Sequence, residues 1–507
     1  MLRTGMKGLE KESLRITQRG TVAQTPHPPA LGAALTHPYI TTDYSEALIE
    51  LVTPPFASSA DALAFLDELH QFVYEHIGEE LLLATSMPGR LEGEESIPIG
   101  QYGTSNIGRM KSVYRRGLAY RYGRAMQSIA GIHFNYSIDE MLWPVYREIL
   151  SRADTPMPAF IAEQYFGMIR NVHRYGWLIL YLFGCSPALC KSFFMGRDPP
   201  GECFTEFDPD TYYRPYATSL RMSDIGYKND SQSGVAISFD DLPSYVASLT
   251  RAIETPYPPY ERIGVKADGE YRQLNANLLQ IENEYYSPIR PKQIAESGEK
   301  PTLALKKRGV RYLELRSVDL NCFHPDGISL EQLHFLENFL VFCLLADSPP
   351  LAEAERNETS RNALAVACCG RTPGFTIQRH GVETPLADEA RRILDAMQPI
   401  AEVLDSNETE RPFQKVVERQ REAVAEPDRT PSARLLKELG ENGLSFADYA
   451  LAISGVHALR FRNRRLDTET AARLEELSAE SRDQQRQIEA ADTLPFDAFL
   501  QRYFTQS

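Results

Sequence analysis

Paired cysteines, long apolar runs, excess positive charge and glycine-rich phosphate loops are all missing from this chain. Its seven cysteines (185, 190, 203, 322, 343, 368 and 369) are odd in number, sit mostly in apolar surroundings and never form a CxxC pair. Neither a zinc module nor a disulfide framework is indicated, and free thiols fit a reducing compartment. Cys368 and Cys369 read either as a redox pair or as two buried thiols, the second being preferred. The most apolar stretches, 177–183 and 339–346, fall far short of the roughly 20 residues that span a bilayer. Acids occur by residue 10 with no apolar segment before them, so no signal peptide is expected. The expected location is the cytoplasm, with no membrane partner. Against 69 acidic residues stand only 54 Lys and Arg, a formal charge of −15. That argues against nucleic acid as a partner and suits a protein that gathers cations. Neither GxxxxGKS/T nor GxGxxG after a strand occurs, so phosphate would have to be held by metal ions and scattered basic residues. The densest basic stretch, 109–124, carries Arg109, Lys111, Arg115, Arg116, Arg121 and Arg124. It reads equally as a triphosphate or carboxylate cradle and as a solvated helix face.

What is present is ordinary globular material, 507 residues that are 43% hydrophobic with 25 tyrosines. Length alone suggests about two to four domains. The distinctive feature is a set of short apolar strands that carry acids. Residues 8–17, GLEKESLRIT, read as a strand that turns Glu10 and Glu12 to one face with Gly8, Leu14 and Ile16. Two neighbouring acids are tolerable where the face is solvated, crossed by basic side chains, or bridged by a divalent cation. Residues 47–53, ALIELVT, read as a strand buried on both faces with Glu50 at its centre. Just upstream, Asp43 and Glu46 have capping-box spacing, which makes Glu46 a helix-cap residue and leaves Asp43 open to either role. Residues 310–320, VRYLELRSVDL, place Tyr312, Glu314, Arg316 and Val318 on one face and Leu313 and Leu315 on the other. Glu314 and Arg316 there are an internal ion pair or part of a site.

The strictest alternation is in 127–138, QSIAGIHFNYSI. Its even positions are apolar, while Gln127, Ile129, Gly131, His133, Asn135 and Ser137 form the other face. Residues 280–286, QIENEYY, read as a fifth strand with Gln280, Glu282, Glu284 and Tyr286 on one face. Acid-lined strands from distant parts of one chain point to a metal-filled cavity. Oxygen ligands with a single imidazole suit Mg²⁺ or Mn²⁺ better than zinc.

Around these strands, helical periodicity marks 59–77 and an aromatic-rich helix or helix pair marks 156–184. Residues 198–210 read as a loop and 224–234 as turn-like. From about residue 330 helices dominate, including a solvated amphipathic one over 468–491. The expected fold class is α+β with an antiparallel or mixed sheet, since regular βα alternation is missing. The expected division is a catalytic unit over 1–345 and a mainly helical part over 346–507.

GLEKESLR, TTDYSEALIELVTP, QYGTSNIGRMKSVYRRGL, GIHFNYS, PYATSLRMSDIGY with its KNDSQS extension, LQIENEYYSPIRPK and YLELRSVD occur in this order. The series resembles the proteobacterial type of glutamate–cysteine ligase, densely to about residue 350 and more loosely up to PFDAFL. The resemblance implies a glutamine-synthetase-like fold, whose curved antiparallel sheet forms a funnel around divalent cations. It implies metal ligands at Glu10, Glu12, Asp43, Glu50, His133 and Glu314, and a catalytic role for Glu314 and for Arg316, which would lie against the transferring phosphoryl group. It implies a cysteine pocket of Tyr114, Tyr227 and Tyr286, with Tyr44 a weaker member, and amino-acid binding by Gln127 and Arg221. Two or three Mg²⁺ ions (Mn²⁺ as substitute), ATP, L-glutamate and L-cysteine follow as cofactor and substrates. Glutathione is implied as a feedback inhibitor, and a monomer is expected. Two features depart from the family pattern. Only seven residues precede Gly8, where relatives have a helical segment, and the 191–214 loop is shorter than usual.

Overall fold

A computed structural model describes residues 2–199, 204–226 and 235–506. It is a mixture of helices and antiparallel sheet, as the absence of βα alternation implied. The main sheet has seven strands. Five are β1 (Met6–Ile16), β2 (Ile40–Thr42), β3 (Leu48–Val52), β4 (Leu81–Leu82) and β5 (Gly131–Ser137). The strands Ile289–Lys292 and Tyr312–Asp319 complete it. Its order runs from Ile289–Lys292 through Tyr312–Asp319, β5, β1 and β3 to β2, with β4 beside the far end of β1. Every pairing is antiparallel.

Register decides what each face carries. Leu9 pairs with Phe134, Lys11 with Ile132, and Leu313 and Leu315 with Tyr136 and Phe134. These residues make the apolar back of the sheet. On the other face Glu10 pairs with His133, Glu12 with Glu50, Glu314 with Asn135, and Arg290 with Glu314. A one-residue slip anywhere would exchange the two sets, so burial of the apolar back holds the polar face in place. Helix α1 (Ser59–His76) packs against β1 and β3, Met157–Tyr175 against Ile289–Lys292, and Trp177–Phe183 against Tyr312–Asp319. Ser58 accepts hydrogen bonds from the Ala60 and Asp61 amides to start α1. A Ser329–Gln332 capping box starts Leu330–Leu345, which packs on α1. The main hydrophobic core is continuous from Leu9 to Leu474. A second, small cluster seats the helix Phe496–Phe504 on α2 (Asn106–Tyr122), through Met110, Val113, Phe496 and Leu500. Among the described residues no helix is long and apolar enough to cross a membrane.

Several sequence expectations change. The fourth strand begins at Gly131 rather than at 127, and Gln127 lies in the one-turn 3₁₀ helix Met126–Ser128. The 280–286 strand does not form, and Glu282–Glu284 is another 3₁₀ turn. There Asn275 Nδ2 donates to the Gln280 carbonyl and Gln280 Oε1 accepts from the Leu274 amide. Such local side-chain bonds satisfy the backbone without a ladder. Glu46 caps no helix; its carboxylate accepts from the His27 and Gln101 amides and ties two loops together. Val318 is not on the Glu314 face. An irregularity between Leu315 and Val318 inserts an extra residue, so Val318 pairs with Ile132 on the apolar side and Asp319 turns to the polar one. Thr205–Asp208, expected as loop, pairs with Thr211–Tyr213. The hairpin Thr376–Arg379 with Val382–Pro385 interrupts the C-terminal helices.

Sheet and helical layer are locked by a buried ion pair. Lys7 on β1 donates to the Arg3 and Ala57 carbonyls and meets Glu337 Oε1 at 2.7 Å, with both side chains 2% exposed. Removing one partner strands the other charge in the core. Glu337→Ala should therefore lose about 3–5 kcal/mol of stability in denaturant titration. The double change Lys7→Met, Glu337→Leu should lose less than that, and equal losses would mean the pair is not what holds the contact.

Candidate active site

The polar face of the sheet gathers the acids that the sequence scatters. One ligand atom each from Glu10, Glu50 and His133 lies within 4.8 Å of the others. His133 Nδ1 is 3.1 Å from Glu10 Oε2 and 3.9 Å from Glu314 Oε1, and its Nε2 is 3.7 Å from Glu12 Oε1. Asn135 Nδ2 donates to Glu10 Oε1 at 2.8 Å, and the Gly131 amide donates to Glu12 Oε2 at 2.7 Å. Arg316 Nη1 reaches Glu314 Oε2 at 3.1 Å, while Lys292 Nζ holds Glu314 Oε1 at 3.0 Å. Asp43, just after β2, stands outside the three-residue cluster, but its charge acts on both Glu12 and Glu50.

Crowding and burial split these carboxylates into two kinds. Burial, then Asp43, push Glu12 up to about 8. Burial, then Glu10, Asp43 and Glu12, push Glu50 well above the ordinary carboxylate range. Glu314 is buried too, yet Lys292 and Arg316 outweigh that penalty and hold it well below its usual value. Glu10 is also lowered: burial and Glu314 push it up, and the His133 hydrogen bond with Lys292 wins. His133 is pushed down by burial and by Arg316, which keeps the imidazole neutral and able to ligate a cation. Even with these partners, a cluster of so many acids close together is expensive in a protein interior. A divalent cation among Glu10, Glu12, Glu50 and His133 would relieve it, so the donor set fits the Mg²⁺ or Mn²⁺ expectation.

Next to this face lies an aromatic pocket. Tyr286 Oη accepts a 2.9 Å hydrogen bond from Gln127 Nε2, and its ring meets Tyr122 edge-on at 6.1 Å. Tyr114 on α2 is within electrostatic reach of Tyr286 and Arg290. Tyr286 also borders a cavity of about 990 Å³ shared with Trp177, Met222, Tyr285 and Ser317. Tyr44 is separate: it is fully buried, its hydroxyl has no hydrogen-bond partner among the described residues, and Arg124 and Glu94 are the charges that act most on it. Arg221 lies buried at the end of the polar face beside Gly131. Tyr227 lies outside the described residues.

The basic stretch of α2 is neither one cradle nor one solvated face. Arg121 is buried against Glu284 at 2.8 Å and over the Tyr260 ring, and Arg116 donates to the Tyr271 carbonyl. Arg115 donates to the Asp43 carbonyl, and Lys111, pushed down to about 8 by burial and then by Arg115, feels Glu50 and Asp43. Of the basic residues in this stretch, Arg115 and Lys111 are the two that act near Asp43 and Glu50. Sequence reasoning missed Asn135 as a partner of Glu10, Lys292 as a partner of Glu314, and Asp319 altogether. Asn135 was visible on the polar face of its strand, whereas Lys292 sits on a four-residue strand too short to show alternation.

The pattern that defines the glutamate–cysteine ligase family matches residues 1–366. A glutamate–cysteine ligase of Azotobacter vinelandii is 48% identical over 509 residues, covering 99% of this chain and 95% of its own. One from Alcanivorax borkumensis is 47% identical over 503 residues, covering 98% and 95%. The crystal structure of a Francisella tularensis glutamate–cysteine ligase in complex with AMP is similar with a TM-score of 0.92 at 35% identity, over 99% of this chain and 97% of that one. With its acids brought together on one sheet face and these relatives spanning nearly its whole length, the chain belongs to the glutamate–cysteine ligase family of enzymes.

Proposed function

We propose that this protein joins the γ-carboxylate of L-glutamate to the amine of L-cysteine, using ATP and passing through γ-glutamyl phosphate. The product would be γ-glutamylcysteine, in the first step of glutathione synthesis, made in the cytoplasm. The observation that carries the reading is the convergence of Glu10, Glu50 and His133 beside the Glu314–Arg316 pair. The relative solved with AMP supports a nucleotide as co-substrate.

A carboxylate is a poor electrophile, and the phosphoryl transfer that activates it brings several negative charges together. Glu10, Glu12, Asp43, Glu50, His133 and Glu314 would hold two or three Mg²⁺ ions, which when bound neutralise that charge. Arg316 supplies a fixed cation, oriented by Glu314 at 3.1 Å, for the transferring group. By analogy with other phosphoryl-transfer arginines it contributes a rate factor on the order of 10³. Tyr114, Gln127 and Tyr286, with Tyr227 in the same assignment and Tyr44 buried apart from them, shape the pocket for the amine substrate. Arg221 offers its planar fork to the glutamate carboxylate. The polar face of the sheet would form the wall of a glutamine-synthetase-like funnel in a unit over 1–345, in a monomer under feedback control by glutathione.

Phosphate release from MgATP and L-glutamate should rise strongly with L-cysteine or L-2-aminobutyrate and little with other amines. Stimulation by another amine would reassign the substrate, and silence with every amine would reject the ligase reading. Glu314→Gln should abolish release while leaving the circular dichroism spectrum that of the folded protein, and near-normal turnover would remove Glu314 from the metal set. Metal loading should also move protons. Glu12, at about 8, holds a proton near pH 7 that ligation must expel, and burial with its acidic neighbours pushes Glu50 in the same direction. Mg²⁺ affinity should therefore rise as pH rises toward 8. Calorimetry in buffers of different ionisation enthalpy should report release of about one proton or more. A binding enthalpy independent of buffer would rule this out.

A further inference from the structure

The extra residue between Leu315 and Val318 turns Asp319 onto the polar face, opposite Gly131. Asp319 is 1% exposed and is held from several sides. Its Oδ2 accepts from the Cys185 amide at 3.0 Å and from Ser186 Oγ at 2.6 Å, and its Oδ1 accepts from Ser219 Oγ at 2.8 Å. Ser219 begins the short 3₁₀ helix Leu220–Met222, which contains Arg221. Arg221 Nη1 stands 3.8 Å from Asp319 Oδ1, and the two side chains are 1% and 0% exposed.

Arg221 has two further constraints. Its Nη2 donates to the Arg316 carbonyl at 2.8 Å. Its guanidinium lies against Gly131, where an added Cβ would fall 2.2 Å from Nη2 and 2.4 Å from Cζ. The Gly131 amide is committed to Glu12. One backbone segment thus carries a metal-ligand candidate on its amide and a flat cation on its α-carbon, and only glycine leaves room for both.

We propose that Asp319 is a positioning residue for the ligation: it fixes the Arg221 guanidinium over Gly131 and, through the Arg316 carbonyl, the strand segment that presents Arg316. This rests on the ligation reading above. Asp319 touches no reacting atom. It acts by lowering the freedom of a cation that would otherwise have several rotamers, which is how remote residues raise the effective concentration of a bound group. Arg221 is the cation assigned above to the glutamate carboxylate, whereas the segment that carries Arg316 serves glutamate and ATP alike. Glutamate is therefore the substrate that loses most when Asp319 is altered.

The test is a double-mutant cycle of Asp319→Asn and Arg221→Lys, with KM for all three substrates, kcat, and melting followed by circular dichroism. Asp319→Asn keeps the volume and an acceptor for Ser219 but removes the charge. It should raise KM for glutamate about tenfold or more, with KM for ATP and cysteine within about twofold. Arg221→Lys should show the same selectivity, and the double change should cost little more than the larger single one. A normal glutamate KM in Asp319→Asn, an equal rise for all three substrates, or fully additive effects would overturn the assignment. If Asp319→Asn fails to fold, Ser219→Ala, which removes one bond to Asp319, should still give a smaller rise confined to glutamate; no such rise overturns the assignment. Absence of ligation in the unaltered protein would instead reject the function on which the inference rests.

Discussion

Electrostatic crowding on a single sheet face is the constraint on which the rest depends. Glu10, Glu12, Glu50, Glu314, His133 and Arg316 occupy neighbouring positions on four strands, with Glu12, Glu314 and His133 buried and the other three half-buried. The acids among them repel one another, and Lys292, Arg316 and Asn135 on the same face offset only part of that. The rest of the opposition comes from behind. Leu9, Phe134, Ile132, Leu313 and Leu315 form an apolar back that cannot slip without exposing itself, and helices cover it. The sheet is a clamp whose closing force is hydrophobic and whose load is charge. Glu12 and Glu50 carry most of that load as raised pKa values, while Lys292 and Arg316 relieve Glu314.

How much of this was legible in the sequence depends on how local the signal is. GIHFNYS shows a polar and an apolar face without help from the rest of the chain, and His133 follows from alternation alone. Glu10 and Glu12 follow likewise, because β1 is regular, while Glu50 stands out as the one acid in an apolar run. Alternation fails where the backbone leaves its period. The irregularity after Leu315 exchanges Val318 and Asp319, and no residue in VRYLELRSVDL announces it. In QIENEYY the spaced acids imitate a strand, but asparagine and glutamine side chains settle the local backbone first. Roles set by contacts across more than a hundred residues, such as Gln127 with Tyr286, have no local signature, and the family resemblance alone suggested them.

Gly131 shows how small the margins are. Its amide serves Glu12, and its missing side chain admits Arg221. The same strand, two residues on, supplies His133 to the cluster. A metal-ligand candidate, a substrate-carboxylate candidate and the strand that carries the imidazole meet at one residue whose contribution is the absence of atoms.

The small second cluster, where Phe496–Phe504 packs on α2, bears on how the protein is made. α2 carries Tyr114 and Arg115, which line the edge of the site, and its outer side is covered by residues made nearly four hundred positions later. A growing chain can pair β1 with β3 early, yet the outer side of α2 stays unbacked until Phe496–Phe504 has been made. Until that segment is present, the helix that carries Tyr114 and Arg115 lacks its outer support while the charged face is already assembled.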